Sequence, residues 1–241
     1  MRPHLLIIIP LVVLSILLVV VVPTQSSQSV TCEDGDQFII DDKGVVESAI
    51  PIVNNEKIVV DTGSCRLTYY RDGQAVKSYP VAIGTRKTPS PIGEWKIIHK
   101  GGSWGGGFGA RWMGINVPWG IYGIHGTDKP GSIGYGSSHG CIRMFNQHVT
   151  ELYKMVKVGT PVYILGKPPL VPLRREFGIK STGKDVLLLQ FALRKAGFDP
   201  GTVDARFGSG TELAVGRLQA FYGLAVTGKA NLNEQYLLGL R

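Results

Sequence analysis

The chain has 241 residues, 44% of them hydrophobic, enough to bury one large core or two modest ones. With 26 Lys and Arg against 18 Asp and Glu its formal net charge is +8, but no run of five or more basic residues occurs, so a basic nucleic-acid-binding tail is excluded and nucleic acid is not an expected partner. The charge is unevenly spread: Thr31 to Asp61 holds eight acids and two lysines, whereas the chain from Thr62 onward holds 23 basic and 10 acidic residues.

Residues 5–22 carry no charge and are interrupted only by Pro10 and Ser15, near the lower length limit for a membrane span. Residues 21–27, Val-Val-Pro-Thr-Gln-Ser-Ser, make a poor cleavage site, so residues 1–30 read as an uncleaved signal anchor, with a removed signal peptide as the alternative. Arg2 and His4 precede the apolar stretch and Glu33, Asp34, Asp36, Asp41 and Asp42 follow it, which sets the N-terminus in the cytoplasm and the body outside, anchored or secreted. The basic body would there meet extracytoplasmic polyanions and lipid head groups. Residues 31–56 form a polar, acidic connector, and Cys32 lacks the leucine of a lipobox.

Residues 57–165 read as short strands and turns. Ile58-Val59-Val60 is a short apolar run, and Arg66 to Tyr70 and Ala75 to Tyr79 flank Asp72-Gly73, a strong hairpin signal. A Pro-rich hinge at residues 88–93 precedes an alternating strand, Glu94 to His99. Six glycines between Gly101 and Gly109, with Trp104 and Phe108 among them, make either a cover for a substrate cleft or a plain surface loop. Strands follow at Met113 to Val117 and at Gly120 to Ile124. Asn146 is the expected N-cap of a helix with Val149, Leu152, Tyr153 and Val156 on one face, and Pro161 to Leu165 closes a mostly β domain.

Within this region Ile124-His125-Gly126-Thr127 and Ser138-His139-Gly140-Cys141-Ile142-Arg143-Met144 gather two histidines and one cysteine. A cysteine that attacks carbonyls must reach its thiolate form, so it needs an imidazole and positive potential nearby; His125, His139 and Arg143 supply both. Gly140 lets the backbone turn sharply, so that the amides of His139, Gly140 and Cys141 converge on one oxygen as an oxyanion hole. His99 and His148 read as structural or solvated. Zinc on His125, His139 and Cys141 lacks a carboxylate-bearing ligand motif, and no metal is expected. Cys32 and Cys65 remain as a disulfide pair or as two inert thiols.

The H-G element followed by S-H-G-C-hydrophobic-R resembles the L,D-transpeptidases with a YkuD-type catalytic domain, over roughly Lys57 to Leu165. That resemblance implies a β-sandwich-like fold with a helix, Cys141 as nucleophile, His125 as general base oriented by the Gly126 carbonyl, His139 in support, and no cofactor. Arg143, Ser138 and Tyr122 are the residues expected to contact substrate, Arg143 through a stem-peptide carboxylate. The implied reaction expels D-Ala from a tetrapeptide stem through a Cys141 thioester and forms a 3→3 cross-link. An L,D-carboxypeptidase using water at the same site, or a non-catalytic wall-binding protein, are the alternatives.

Residues 166–180, with Pro168, Pro169 and Pro172, form a linker. In residues 181–241 Thr182-x-x-Asp185, Ser209-x-x-Glu212 and Asn231-x-x-Glu234 resemble helix-start boxes, and Val-x-x-Leu-Gln recurs at 186 and 215. A small all-α three-helix unit results. From Lys184 to Leu240 it resembles the peptidoglycan-binding module found beside wall enzymes, through D-V-x-x-L-Q, D-x-x-F-G, T-E-x-A-V and G-L-x-V-T-G. Here Ala205 stands where that family usually has glycine. The expected partners are peptidoglycan stem peptides and glycan strands, and the membrane through the N-terminal segment, with the chain acting as a monomer.

Overall fold

The computed structural model describes residues 28–31, 37–40, 46–47 and 55–241, apart from 104 and 106. The apolar stretch at 5–22 and Cys32 lie outside the described residues, and among those described no helix is long and apolar enough to cross a membrane. The chain divides into residues 1–53 and residues 54–241. In the first unit, β1 (Gln28–Thr31), β2 (Gln37–Ile40) and β3 (Val46–Glu47) pair antiparallel, β2 and β3 in the stretch read as a connector and β1 across its boundary with the segment read as an anchor.

The second unit is built on β4 (Lys57–Asp61), β5 (Arg66–Arg71), β6 (Gln74–Pro80), β7 (Ile83–Gly84), β8 (Gly93–Gly101), β9 (Trp112–Ile115) and β10 (Tyr122–His125). These are followed by β11 (Gly136–Ser138), β12 (Ile142–Arg143), helix α1 (Asn146–Met155) and β13 (Pro161–Leu165). Eight strands form one sheet in the order β12-β10-β9-β8-β13-β4-β5-β6, while β7 and β11 pair separately. Asp72 and Gly73 both take positive φ, 51° and 78°, as a two-residue hairpin turn requires, and Arg71 pairs with Gln74 across it. Alternation places Ile58 and Val60 of β4, Leu67 and Tyr69 of β5, and Val162 and Ile164 of β13 in one core, which Val149 and Leu152 of α1 cover.

The C-terminal region holds α2 (Lys184–Lys195), α3 (Ser209–Phe221) and α4 (Leu232–Leu237). The repeated Val-x-x-Leu-Gln has a physical reason. Gln190 and Gln219 are both buried; the first accepts from the Ala205 amide and donates to the carbonyls of Thr202 and Arg206, the second accepts from Thr227 and Gly228 and donates to the Lys229 carbonyl. Each glutamine thus supplies the hydrogen bonds of the irregular turn that follows its helix.

Three expectations need correction here. Only Asn231 and Glu234 form a capping box; α2 and α3 start after Gly183 and Gly208 with no side-chain cap. Asp185 is instead held by Arg174 at 2.6 Å, and Thr182 pairs with Arg206 as an isolated bridge. The linker is also shorter than its composition implies, because Phe177 is fully buried in the helical core and pairs with Ala230.

The helical region also contributes to the core of the sheet. Leu187, Val203 and Ala205 belong to the core of the sheet, and Glu94 of β8 is bonded through its side chain to Arg194 and the Val203 amide, and through its own amide to the Val203 carbonyl. Arg206 adds a 2.7 Å bond to the Asn116 carbonyl.

Candidate active site

Strand β10 ends at His125, and β12 runs parallel beside it with Ile124 opposite Ile142 and His125 opposite Arg143. Because Cys141 immediately precedes β12, this register sets Cys141 and His125 on neighbouring strands. Both line a cleft of about 280 Å³ with Ser138, His139 and Arg143, so the structure brings together five of the residues singled out in the sequence. Gly107, Phe108, Asp128 and Lys129 complete it. Of these the glycine-rich loop was a candidate cover, while nothing in the pattern marked Asp128 or Lys129.

His125 is 3% exposed, lodged between Trp112, stacked at 5.5 Å between centroids, and Phe108, edge-on at 5.0 Å. Its Nδ1 lies 2.5 Å from the Gly126 carbonyl. A carbonyl only accepts, so Nδ1 carries the proton, and in the neutral ring Nε2 is left able to take one. Burial pushes the His125 pKa below 6.5 and Arg143 pushes it the same way, against the carbonyls of Gly126 and Phe108, which favour the charged ring. Burial likewise raises the Cys141 thiol above 9.0, opposed by a backbone hydrogen bond from Gly123 and by Arg143. The resting pair is therefore thiol and neutral imidazole, and a nucleophilic attack by the sulfur would require its proton to pass to a neighbouring base such as this imidazole.

The loop that carries Cys141 is braced by Ser138. Its hydroxyl donates to the Cys141 carbonyl at 2.6 Å and accepts from the Gly140 amide at 3.0 Å. The Gly140 amide is thus occupied in this state, leaving those of His139 and Cys141 as the expected oxyanion donors that no bond to Ser138 engages. Gly140 sits at φ +119°, and a Cβ there would lie 2.6 Å from Tyr122 Cε1. Tyr122 therefore packs beneath the loop and is not among the cleft-lining residues, whereas Arg143 is, with Nη1 3.4 Å from the Ser137 carbonyl. His139 is solvent-exposed at the cleft rim.

Asn146 differs from its expected role. Phe145 is the N-cap of α1, and the Asn146 side chain instead accepts from the Ala110 amide at 2.9 Å and donates to the Thr127 carbonyl at 3.2 Å. Outside the cleft, His99 is exposed, and His148 packs on Tyr79 and Phe145. Cys65 is a partly buried thiol. Among the described residues no three His, Cys, Asp or Glu side chains are grouped to hold a metal ion.

A curled, mostly β domain with this cleft, joined to a helical C-terminal region, defines the class to which comparison with known proteins assigns a family. The family model described as L,D-transpeptidase catalytic domain matches residues 55–164, and one described as "Putative peptidoglycan binding domain" matches residues 182–235. The Bacillus subtilis protein named "Putative L,D-transpeptidase YqjB" is 33% identical over 129 residues, 47% of this chain and 73% of that one. The same organism's "Putative L,D-transpeptidase YkuD" is 44% identical over 107 residues, 44% of this chain and 64% of the other, so the chain spans under two thirds of that relative. An NMR structure of the catalytic domain of the Enterococcus faecium L,D-transpeptidase is 28% identical and covers 47% of this chain and 98% of its own, with a TM-score of 0.41. The chain belongs to the L,D-transpeptidase family.

Proposed function

We propose that the chain is a peptidoglycan L,D-transpeptidase that forms 3→3 cross-links through a thioester on Cys141 and works outside the cytoplasm. The observation that supports this most is the shared cleft in which Cys141 and His125 meet beside Arg143, with His125 held through Nδ1 by Gly126. Cys141 Sγ attacks the carbonyl of the third residue of a tetrapeptide stem while His125 takes the thiol proton. The C–N bond to the terminal D-Ala breaks, and His125 returns that proton to the leaving amine. The side-chain amine of a second stem then attacks the thioester, its C–N bond forms, the C–S bond breaks, and the amine's proton passes back to the sulfur through His125. Arg143 offers a charge-assisted hydrogen bond to a stem carboxylate, and the helical C-terminal unit offers a surface for the glycan strand.

The test is mass spectrometry of the full-length protein and its products after incubation with purified disaccharide-tetrapeptide, beside Cys141→Ala. Loss of D-Ala with a cross-linked dimer, both absent in the variant, is the expected result. Tripeptide without dimer would replace transfer by hydrolysis, and the absence of any thioester or turnover would overturn the reading.

A further inference from the structure

The glycine-rich loop, the His125 segment and the start of α1 meet at one side chain. Asn146 accepts from the Ala110 amide, one residue after Gly109, and donates to the Thr127 carbonyl, one residue after Gly126. The approach leaves no space: a Cβ on Gly109 would sit 2.2 Å from Asn146 Oδ1 and 2.4 Å from the Gly126 carbonyl carbon, and one on Gly126 would sit 2.2 Å from the same Oδ1. The Gly126 amide is bonded to the Arg111 carbonyl at 3.1 Å, and the Met144 amide to the His125 carbonyl at 2.8 Å. The peptide whose carbonyl orients the imidazole is therefore anchored before and after, and Asn146 supplies the anchor that also ties down the loop bearing Phe108.

We infer that Asn146 is a positioning residue for the proposed reaction: its amide clamps the Phe108 loop to the His125-Gly126-Thr127 segment and so fixes the ring that takes the thiol proton. The inference rests on the reading of His125 as base. Asn146 itself is surface-exposed and does not line the cleft, so it acts through Gly126 and Phe108 and not on substrate. Its two bonds also fix the orientation of the amide, oxygen toward Ala110 and nitrogen toward Thr127, a demand that aspartate does not meet, since it would set a carboxylate oxygen against the Thr127 carbonyl.

The experiment compares thioester formation from disaccharide-tetrapeptide, as a function of pH, in the full-length wild type, Asn146→Ala, Asn146→Asp, Thr150→Ala and His125→Gln. Thr150 donates to the Asn146 main-chain carbonyl at 2.8 Å, so its loss weakens the same helical turn without touching the clamp. The titratable and charged groups facing His125 across the cleft are Cys141, His139, Arg143, Asp128 and Lys129, all unchanged in these variants.

Both Asn146 variants are expected to slow thioester formation by about tenfold or more, because a misplaced base forfeits orientation. In Asn146→Ala the acid limb of the profile moves toward higher pH, as the loosened loop rehydrates the ring, and Thr150→Ala keeps the wild-type profile. Asn146 variants within about threefold of wild type with an unmoved limb, or a loss that Thr150→Ala reproduces equally, would overturn the inference. An inactive His125→Gln beside unaffected Asn146 variants removes the clamp alone; an active His125→Gln removes the base, and the inference with it.

Discussion

Gly140→Ala probes the nucleophile loop most sharply. Two costs can be worked from the structure. The backbone at φ +119° is a region that costs a residue with a side chain about 1–3 kcal/mol. The new methyl would stand 2.6 Å from Tyr122 Cε1 and 3.3 Å from the Pro89 carbonyl oxygen, so roughly 1 Å must be opened to reach ordinary contact, at about 1–3 kcal/mol of overpacking. Alanine returns about 0.4–1 kcal/mol through the unfolded chain. The balance is a loss near 3 kcal/mol, or a Tm lower by about 6–12 °C in a unit of this size. The loop relieves the strain by moving Cys141 and its amide, and a displacement of about 1 Å at a reacting centre costs roughly a hundredfold in rate. Thermal unfolding and the rate of thioester formation are measured on wild type, Gly140→Ala, Tyr122→Ala and the double variant. Removing the Tyr122 ring is expected to restore part of the stability lost, because the overpacking disappears while the backbone cost remains. A Gly140→Ala protein that keeps its Tm and reacts within about threefold of wild type would refute the reasoning.

Acidity gives the next test. Since His125 is held below 6.5, the rate of thioester formation should stay flat as pH falls past 6.5 and decline only at lower pH; a midpoint at or above 6.5 would contradict the burial account. The unfolded chain binds the His125 proton before the folded one does, so stability is present above 6.5 and is lost as pH falls through the depressed value, which His125→Gln should flatten in denaturant titrations. Gln190→Leu leaves the Thr202 and Arg206 carbonyls and the Ala205 amide without their partner and should cost about 3–5 kcal/mol in denaturant unfolding; a loss under about 1 kcal/mol would show that the turn finds other partners. Ala205 and Ala214 are both fully buried, but Ala205 sits at φ +63° whereas Ala214 is helical. Ala205→Gly should be near neutral, since the left-handed penalty of about 1–2 kcal/mol is relieved while a methyl and backbone order are lost, whereas Ala214→Gly should cost about 2 kcal/mol; equal losses would rule out strain at Ala205.

The parts that were legible in the sequence depend on neighbours in the chain. Asp72-Gly73 announces its hairpin because a turn of positive φ is a local requirement, and the Cys141 and His125 motifs sit at the ends of short segments whose pairing places them in one cleft. Asn231 announces its cap for the same reason. Thr182 and Ser209 have the same spacing and do not cap: Asp185 is taken by Arg174 and Thr182 is bridged to Arg206, contacts that no local window contains, while Ser209 falls one residue inside its helix behind Gly208. Asn146 looks like a cap because asparagine favours that position, but its side chain is claimed by Ala110, 36 residues earlier. Glu94 and Val203 are 109 residues apart, so the docking of helices on sheet had no signal in either segment's own pattern. Phe177 lay hidden in a proline-rich stretch for the opposite reason: composition there describes the neighbours and not the one residue that is buried.

The packing of helical-region residues into the core of the sheet fixes how the two regions are placed. A wall-gripping unit strung on a flexible tether raises local concentration over a broad volume and lets the reactive cleft sample many stems around one anchoring point. Here Leu187, Val203 and Ala205 are packed into the sheet and Glu94 is bonded across the junction, so helices and cleft are held at one fixed offset. On the proposed function, a strand seated on the helices would present its stems to Cys141 at a set distance and direction, as in a caliper, and the site of reaction would be chosen by geometry along the polymer as much as by the chemistry of the stem.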